Sequence, residues 1–384
     1  MVTEYFRDAV IDGADGWANG GRGKLALVPP RHDLPLRTAC RDALPAVSEQ
    51  DLLNHMMDVV ATSGYAFSRS LVVDCYVSLK TNPLVILTGP QGCGKAAFMD
   101  LFAEALLGRG SPQYARISGD AAWLGGTGEH GYFRALQERF GSLRFMELIQ
   151  EAGDPGNLGK LFIVCFDALH PHELDYYFAR LVLIGPNGEK RLNLPGYQDG
   201  EQPLLPENLL ITATVRQSVW GERPGSEALR HASLIQFRRP VARMPVALRP
   251  AAPAPVGYQR MWLRAALHDV EQARQRLLSI LGPERLNRLT FSPALGRLLW
   301  RGGLALSARQ LQEVTAYVAN SFGADGRGLF DPEDVYRNAQ IAYDAQVVQR
   351  VLWRLPDGID PDLHADLTRY LDDVARCAGQ QAVA

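Results

Sequence analysis

The run PLVILTGPQGCGKAAF, Pro83 to Phe98, constrains the fold more than any other stretch of the chain. A short apolar strand, Leu84 to Leu87, runs into Gly89-Pro90-Gln91-Gly92-Cys93-Gly94-Lys95, and a helical pattern follows. The pattern G-x-x-x-x-G-K-[ST] is met up to its last position, where Ala96 stands in place of Ser or Thr. Glycines at these places let backbone N–H groups converge on phosphate oxygens, and the helix N-terminus adds positive potential. Lys95 would meet the β- and γ-phosphates as a point charge. The bland alternative is a Gly-rich strand-to-helix turn with an incidental lysine. Ala96 removes a hydroxyl that would bind Mg²⁺, so metal-dependent hydrolysis is expected to be weakened even where the phosphates still bind.

Around this run, short apolar strands alternate with helix-like segments from Leu71 to about Pro240. LVILTG, YARISG, LFIVCFD, LLITATV and SLIQF read as strands; AAFMDLFAEALLG, YFRALQERFG and PHELDYYFARLVL read as helices. Such alternation implies an α/β fold, a parallel sheet with helices on both faces. Residues 1–46, rich in Gly, Pro, Asp and Arg, read as a mostly irregular arm. Helical spacing begins near Val47 and runs through DLLNHMMDVVATSG, with Leu52, Met56, Val59 and Val60 on one face.

The composition changes at RRPVARMPVALRPAAPAPVG, Arg238 to Gly257, whose prolines sustain neither a helix nor a central strand. The expected organisation is therefore an arm at 1–46, an α/β domain at 47–240, a Pro/Ala-rich linker at 241–257 and a helical domain at 258–384. In that last part helices are expected over Trp262–Leu281, Pro293–Arg301, Ser307–Phe322, Pro332–Trp353 and Pro361–Arg376. Asp331-Pro332-Glu333-Asp334 reads as a helix start with Asp331 as N-cap.

A net charge of −2 gives no global electrostatic case for nucleic acid or an anionic membrane. Lys80, Arg238, Arg239 and Arg243 read either as a local basic patch or as solvated charges near a linker. The five cysteines are scattered, with no C-x-x-C pair, which argues against a disulfide framework or a zinc site and for a reducing cytoplasm. MVTEYFRDAVIDGADG lacks the apolar core of a signal peptide, and no apolar run approaches the roughly 18 residues of a membrane span. A cytoplasmic protein without membrane contact is expected.

A second nucleotide-handling element should be an apolar strand ending in an acid. KLFIVCFDALH offers Leu161 to Phe166 and then Asp167, which would hold a metal ion through water. Its neighbour is Ala168, where a water-polarising Glu would stand. The bland alternative is a buried strand capped by an Asp. His170 and His172 have no further ligand partner in sequence and read as surface residues.

Taken together these motifs resemble an AAA+ NTPase of the modified-cytosine restriction (McrB-type) group, over about Val47 to Leu355. YVSLKTNPLVILTGPQGCGKAAFMDLFAEAL is similar to that group's strand–loop–helix, and LFIVCFDALHPHELDYYFARLVL to its second motif. PENLLITATVRQ resembles its third strand, with Arg216 at the polar sensor position. EALRHASLIQF resembles a segment in which an Asp-Arg pair becomes Arg230-His231. ARQLQEVTAYVANS and DAQVVQRVLWRLPDG look like the helical lid, with Arg309 matching the sensor that reaches the γ-phosphate and Gln349–Leu355 the closing signature.

The resemblance implies ATP or GTP held by Gly89, Pro90, Gln91, Gly92, Cys93, Gly94, Lys95 and Ala96, with Mg²⁺ held weakly at Asp167 through water. It implies a homo- or hetero-oligomeric ring and a partner nuclease. Ala96, Ala168, Arg216 and Arg230-His231 each depart from the group at a hydrolytic rather than a packing position. Losing the water-polarising acid alone should cost several orders of magnitude in rate. The reading that follows is a degenerate nucleotide-binding subunit, structural or regulatory, in a restriction or phage-defence assembly. Its rivals are a slow NTPase driving a nuclease and a scaffold that binds no nucleotide. Arg230 reads equally as a displaced arginine finger or an exposed arginine at a subunit surface. Only residues 1–46 precede the core, so no modified-base-reading module and no direct sequence-specific DNA recognition are expected.

Overall fold

The computed structural model of the chain describes residues 47–118, 142–169, 174, 178–184, 189–194, 202–215, 232–237, 257–289, 301, 308–350, 360–363, 365–366 and 369. The N-terminal arm, the YFRALQERFG helix, the linker up to residue 256 and the helix expected from Pro293 lie outside them, Arg301 excepted. So do Arg216, Arg230, His231, His170, His172, Arg238, Arg239 and Arg243.

The chain opens with α1 (Glu49–Thr62) and α2 (Arg69–Thr81). Ser48 starts α1 through a capping box: its hydroxyl accepts from Asp51 N at 3.1 Å, and the Asp51 carboxylate accepts from Ser48 N at 2.9 Å. Leu52, Leu53, Met56 and Val60 recur at helical spacing and are buried, each contributing about 2 kcal/mol. There follow β1 (Leu84–Thr88), α3 (Lys95–Leu107), β2 (Tyr114–Ser118), α4 (Leu143–Gly153) and β3 (Phe162–Leu169). Beyond them come β4 (Val182–Ile184), β5 (Lys190–Leu192), β6 (Leu209–Val215) and β7 (Ser233–Gln236). There follow α5 (Gly257–Ala265), α6 (Val270–Leu289, broken at Gly282, whose φ is 75°), α7 (Ala308–Asn320) and α8 (Val335–Arg350).

Five strands form one parallel sheet in the order β2-β3-β6-β1-β7, which sets β1 between β6 and β7. Burial on both faces explains the unbroken apolar runs. Val85 and Leu87 of β1 point with Ile163 and Cys165 of β3 into a core shared with α1, α2, α3, α5, α6 and α7. Leu84 and Ile86 point with Phe162, Val164 and Phe166 to the other face, against Phe145, Leu148, Ile149 and Ala152 of α4. The sequence reading had not marked α4, although those four residues keep helical spacing behind the Ser142 cap.

Three expected helices are corrected. Of the segment read as one helix through PHELDYYFARLVL, Leu174 is helical, but the described residues from Phe178 on are a 3₁₀ turn at Phe178–Arg180, after which β4 pairs antiparallel with β5. Val-Leu-Ile ahead of Gly-Pro-Asn-Gly is a hairpin pattern, and that local chemistry prevails. The helix read over Trp262–Leu281 is two. Asn320 accepts from Leu267 N at 2.8 Å and donates to Leu267 O at 3.0 Å, while Asp269 caps the next helix through Glu271 N and Gln272 N. The helix read from Pro332 begins at Val335. Its N-cap is Asp334, which accepts from Tyr336 N and Arg337 N, whereas Asp331 closes the preceding turn.

Lys80 is also corrected: it is neither patch nor solvated charge. Its ammonium is fully buried and donates to Glu49 Oε1 at 2.7 Å and to Asn320 O at 3.2 Å. Burial lowers its pKa, and Glu49 opposes that shift. Tyr76 Oη donates to the same Glu49 oxygen at 2.8 Å, and Ala324 N donates to the other at 3.1 Å.

A second buried junction lies at Asp74 on α2, which accepts from Tyr317 Oη of α7 and, at 2.7 Å, from Gln349 Nε2 of α8. Desolvation outweighs these bonds and pushes the Asp74 carboxyl up to about 6 from its ordinary 3.8. The folded state then binds this proton more tightly than the unfolded chain, so the contribution is full below pH 4 and is lost as pH rises through about 6. Asp74→Asn should therefore gain on wild type by about 3 kcal/mol in unfolding free energy between pH 4 and pH 7. Urea titrations of both proteins at the two pH values check this. A difference independent of pH would contradict the desolvation of Asp74.

Candidate functional site

At the carboxyl end of β1 the chain turns through Gly89–Gly94 into α3. Three glycines there have positive φ: 139° at Gly89, 78° at Gly92 and 84° at Gly94. A Cβ on Gly89 would lie 2.3 Å from the Phe237 carbonyl oxygen, and one on Gly94 would lie 3.1 Å from the Phe67 ring. At Gly92 a Cβ would meet nothing within 4 Å. The loop thus rests on one side against aromatic rings and is open at its crest. Phe67, Phe98 and Phe237 pack edge-to-face on one another with centroids 5.1 to 6.1 Å apart, and Tyr65 stacks on Phe67. Gly94, the N-cap of α3, has no side chain to cap the first turn, so the amides there remain suited to an anion.

Lys95 is nine-tenths buried and folds back into the loop. Its ammonium donates to Gly89 O at 2.7 Å and Pro90 O at 2.8 Å, and stands 3.4 Å from Cys93 Sγ. Pro90, Gln91 and Gly92 are exposed, Gly94 and Ala96 partly so, and Cys93 is buried. The cradle fits a phosphate chain: open crest, uncapped helix start and one ammonium on its inner side.

Two strand spacings away, about 10 Å across the sheet, β3 ends at the same level. Its pairing with β6 slips between Phe166 and Leu169, so Asp167 and Ala168 form a bulge opposite Thr214. Ala168 has φ 55°, the one positive value among the described non-glycine residues. The Thr214 hydroxyl secures the bulge twice, accepting from Ala168 N at 2.8 Å and donating to Asp167 Oδ1 at 2.6 Å. Asp167 Oδ2 faces Arg116 Nε of β2 at 3.9 Å. The Arg116 guanidinium also reaches Asp100 Oδ2 of α3 at 2.5 Å, and Tyr114 Oη donates to Asp100 Oδ1 at 2.8 Å.

These donors do not fit a protein-held Mg²⁺ ion. Position 96 carries no oxygen, and Asp167 is engaged by a hydroxyl on one oxygen and faces a guanidinium with the other. Among the described residues no group of three or more His, Cys, Asp or Glu side chains converges as a metal site.

Arg309 lies in the first turn of α7 and is half-exposed, with Nε 3.1 Å from Glu313 Oε1. The other Glu313 oxygen lies 2.7 Å from NH1 of the buried Arg350 on α8. The structure thus brings Gly89–Ala96, Asp167 and Ala168 to one edge of the sheet. Thr214, Arg116 and Asp100 were missed by the sequence reading. Thr214 had a local signal as the polar residue near the end of LLITATV, and Arg116 as the one charge within YARIS.

No known protein-family model matches the chain, and no curated protein matches its sequence. Among solved structures it is similar to a full-length MCM homolog from Methanopyrus kandleri, with 14% identity and a TM-score of 0.35. The match covers 85% of this chain and 63% of that one, so the chain spans less than two thirds of that protein's length. A likeness this distant carries no functional argument.

The left-handed backbone at Ala168 is costly to any residue with a Cβ. Ala168→Gly should raise the unfolding free energy by about 0.5–1 kcal/mol, the left-handed cost relieved less the flexibility added. Denaturant titration reads this directly, and a loss of stability would count against the bulge at 167–168.

Proposed function

We propose that this chain is a nucleotide-binding subunit of the AAA+ type, resembling the McrB-type restriction group in its motifs, that has lost most or all of its hydrolytic power. The observation that carries the reading is the Gly89–Lys95 loop between β1 and an uncapped helix start, with the Lys95 ammonium on its inner side. ATP or GTP is the ligand such a cradle takes, since its donors are matched to phosphates rather than to a base. Asp167 remains at the strand end, but Ala96 and Ala168 supply no oxygen for a metal or an attacking water. The subunit therefore serves structure or regulation in a ring of like or unlike AAA+ subunits. The helices of 258–384 act as its lid, Arg309 as its γ-phosphate sensor and Arg230 as a displaced finger. A nuclease is the partner implied by the motif resemblance, in restriction or phage defence. No described helix is long and apolar enough to cross a membrane.

Calorimetric titration with ATP and with GTP tests this. At least one should bind with micromolar affinity, Lys95→Ala should weaken it tenfold or more, and phosphate release by the parent should not exceed that of Lys95→Ala. Absence of binding at millimolar nucleotide would leave the scaffold reading, and turnover well above the Lys95→Ala control would leave the slow NTPase.

A further inference from the structure

The polar cluster beside the loop has a cation already built into it. Ala96 and Asp100 are four residues apart on α3 and so share one face of that helix. Asp100 holds the Arg116 guanidinium at 2.5 Å, and the same guanidinium faces Asp167 Oδ2 at 3.9 Å. Arg116 therefore spans the two elements, the start of α3 and the end of β3, from which the missing hydroxyl and the retained acid would hold a metal ion. We propose that Arg116 replaces the divalent cation, so that this chain binds its nucleotide without Mg²⁺.

The inference rests on the nucleotide-binding reading above. Its physical content is electrostatic. A phosphate chain entering the loop meets the negative charge of Asp167, which must be neutralised by something. In a metal-dependent site that is Mg²⁺; here it is a guanidinium. Arginine suits the task because it stays charged and presents five N–H donors in a planar fork that matches phosphate oxygens. Asp100 engages one of these groups and Asp167 stands beside another, which leaves the rest of the fork for a further anion. The Arg116 side chain is 42% exposed, so a ligand in solvent can reach it. Asp167, fixed by Thr214, then acts as the anchor of this arginine rather than as a ligand of a metal. A single positive charge has less reach than a divalent ion, in keeping with a site that binds and does not react.

The test is calorimetry with ATP and GTP, each in millimolar Mg²⁺ and in EDTA, on the full chain. Wild-type affinity should change less than threefold between the two conditions. Arg116→Gln should lose tenfold or more in EDTA and regain most of it with Mg²⁺, while Arg116→Lys should fall between. Asp167→Asn should bind at least as tightly as wild type in both conditions, because it removes a charge that repels the phosphates. This variant keeps the test intact if Arg116→Gln does not fold. A hundredfold loss by wild type on chelation, a tenfold loss by Asp167→Asn in Mg²⁺, or undiminished binding of Arg116→Gln in EDTA overturns the proposal alone. Absence of binding by wild type in every condition overturns the nucleotide reading and this one with it.

Discussion

The ion pair between Glu49 and Lys80 is taken wholly out of water, and much of the helical layer is arranged around that fact. Desolvating two charges costs several kcal/mol apiece, and their attraction offsets this only where the remaining donors and acceptors are met. Here the matching groups come from three places in the chain. Tyr76 belongs to α2 like Lys80, Ala324 follows α7, and the Asn320 carbonyl is the last of α7. Removing either charge would strand the other. α1 and α2 are thereby fixed in register with each other and with the end of α7. Asn320 extends the same junction by pairing with both backbone groups of Leu267, where α5 gives way to α6. Among the described residues, α5, α6, α7 and α8 are part of one apolar core with α1, α2 and α3, in which Trp262 and Tyr317 are buried beside Leu52 and Val73.

How much of this could be read beforehand follows the range of the interactions. The five strands of the main sheet, α1, α3 and α7 are local patterns of apolar spacing and turn residues, and the structure has them close to where those patterns lie. The β4–β5 ribbon was misread because a helical spacing overlapped a hairpin signal a few residues later, and the hairpin signal was the stronger. The split of α5 from α6 depends on Asn320, more than fifty residues away, and no local window contains it. The same holds for Lys80, which looks like any surface lysine until Glu49, thirty-one positions earlier, is placed beside it. In the site, the loop and Asp167 were legible because a phosphate cradle and a strand-end acid are contiguous motifs. Thr214, Arg116 and Asp100 meet Asp167, directly or through one another, only after three strands and a helix have assembled.

The glycines of the loop differ in what they answer to. Gly92 lies in open space, whereas Gly89 sits where any side chain would collide with the main chain of Phe237 just beyond β7. Gly89 is thus demanded by the interlock of two neighbouring strand ends, with or without a ligand. Lys95 is different: its charge is turned inward onto carbonyl oxygens and belongs to no apolar packing. In a lineage that abandoned nucleotides, drift could erase the lysine while selection for folding alone kept Gly89. A substitution at the lysine, rather than at that glycine, is therefore the one that separates the loop's use from the upkeep of the fold.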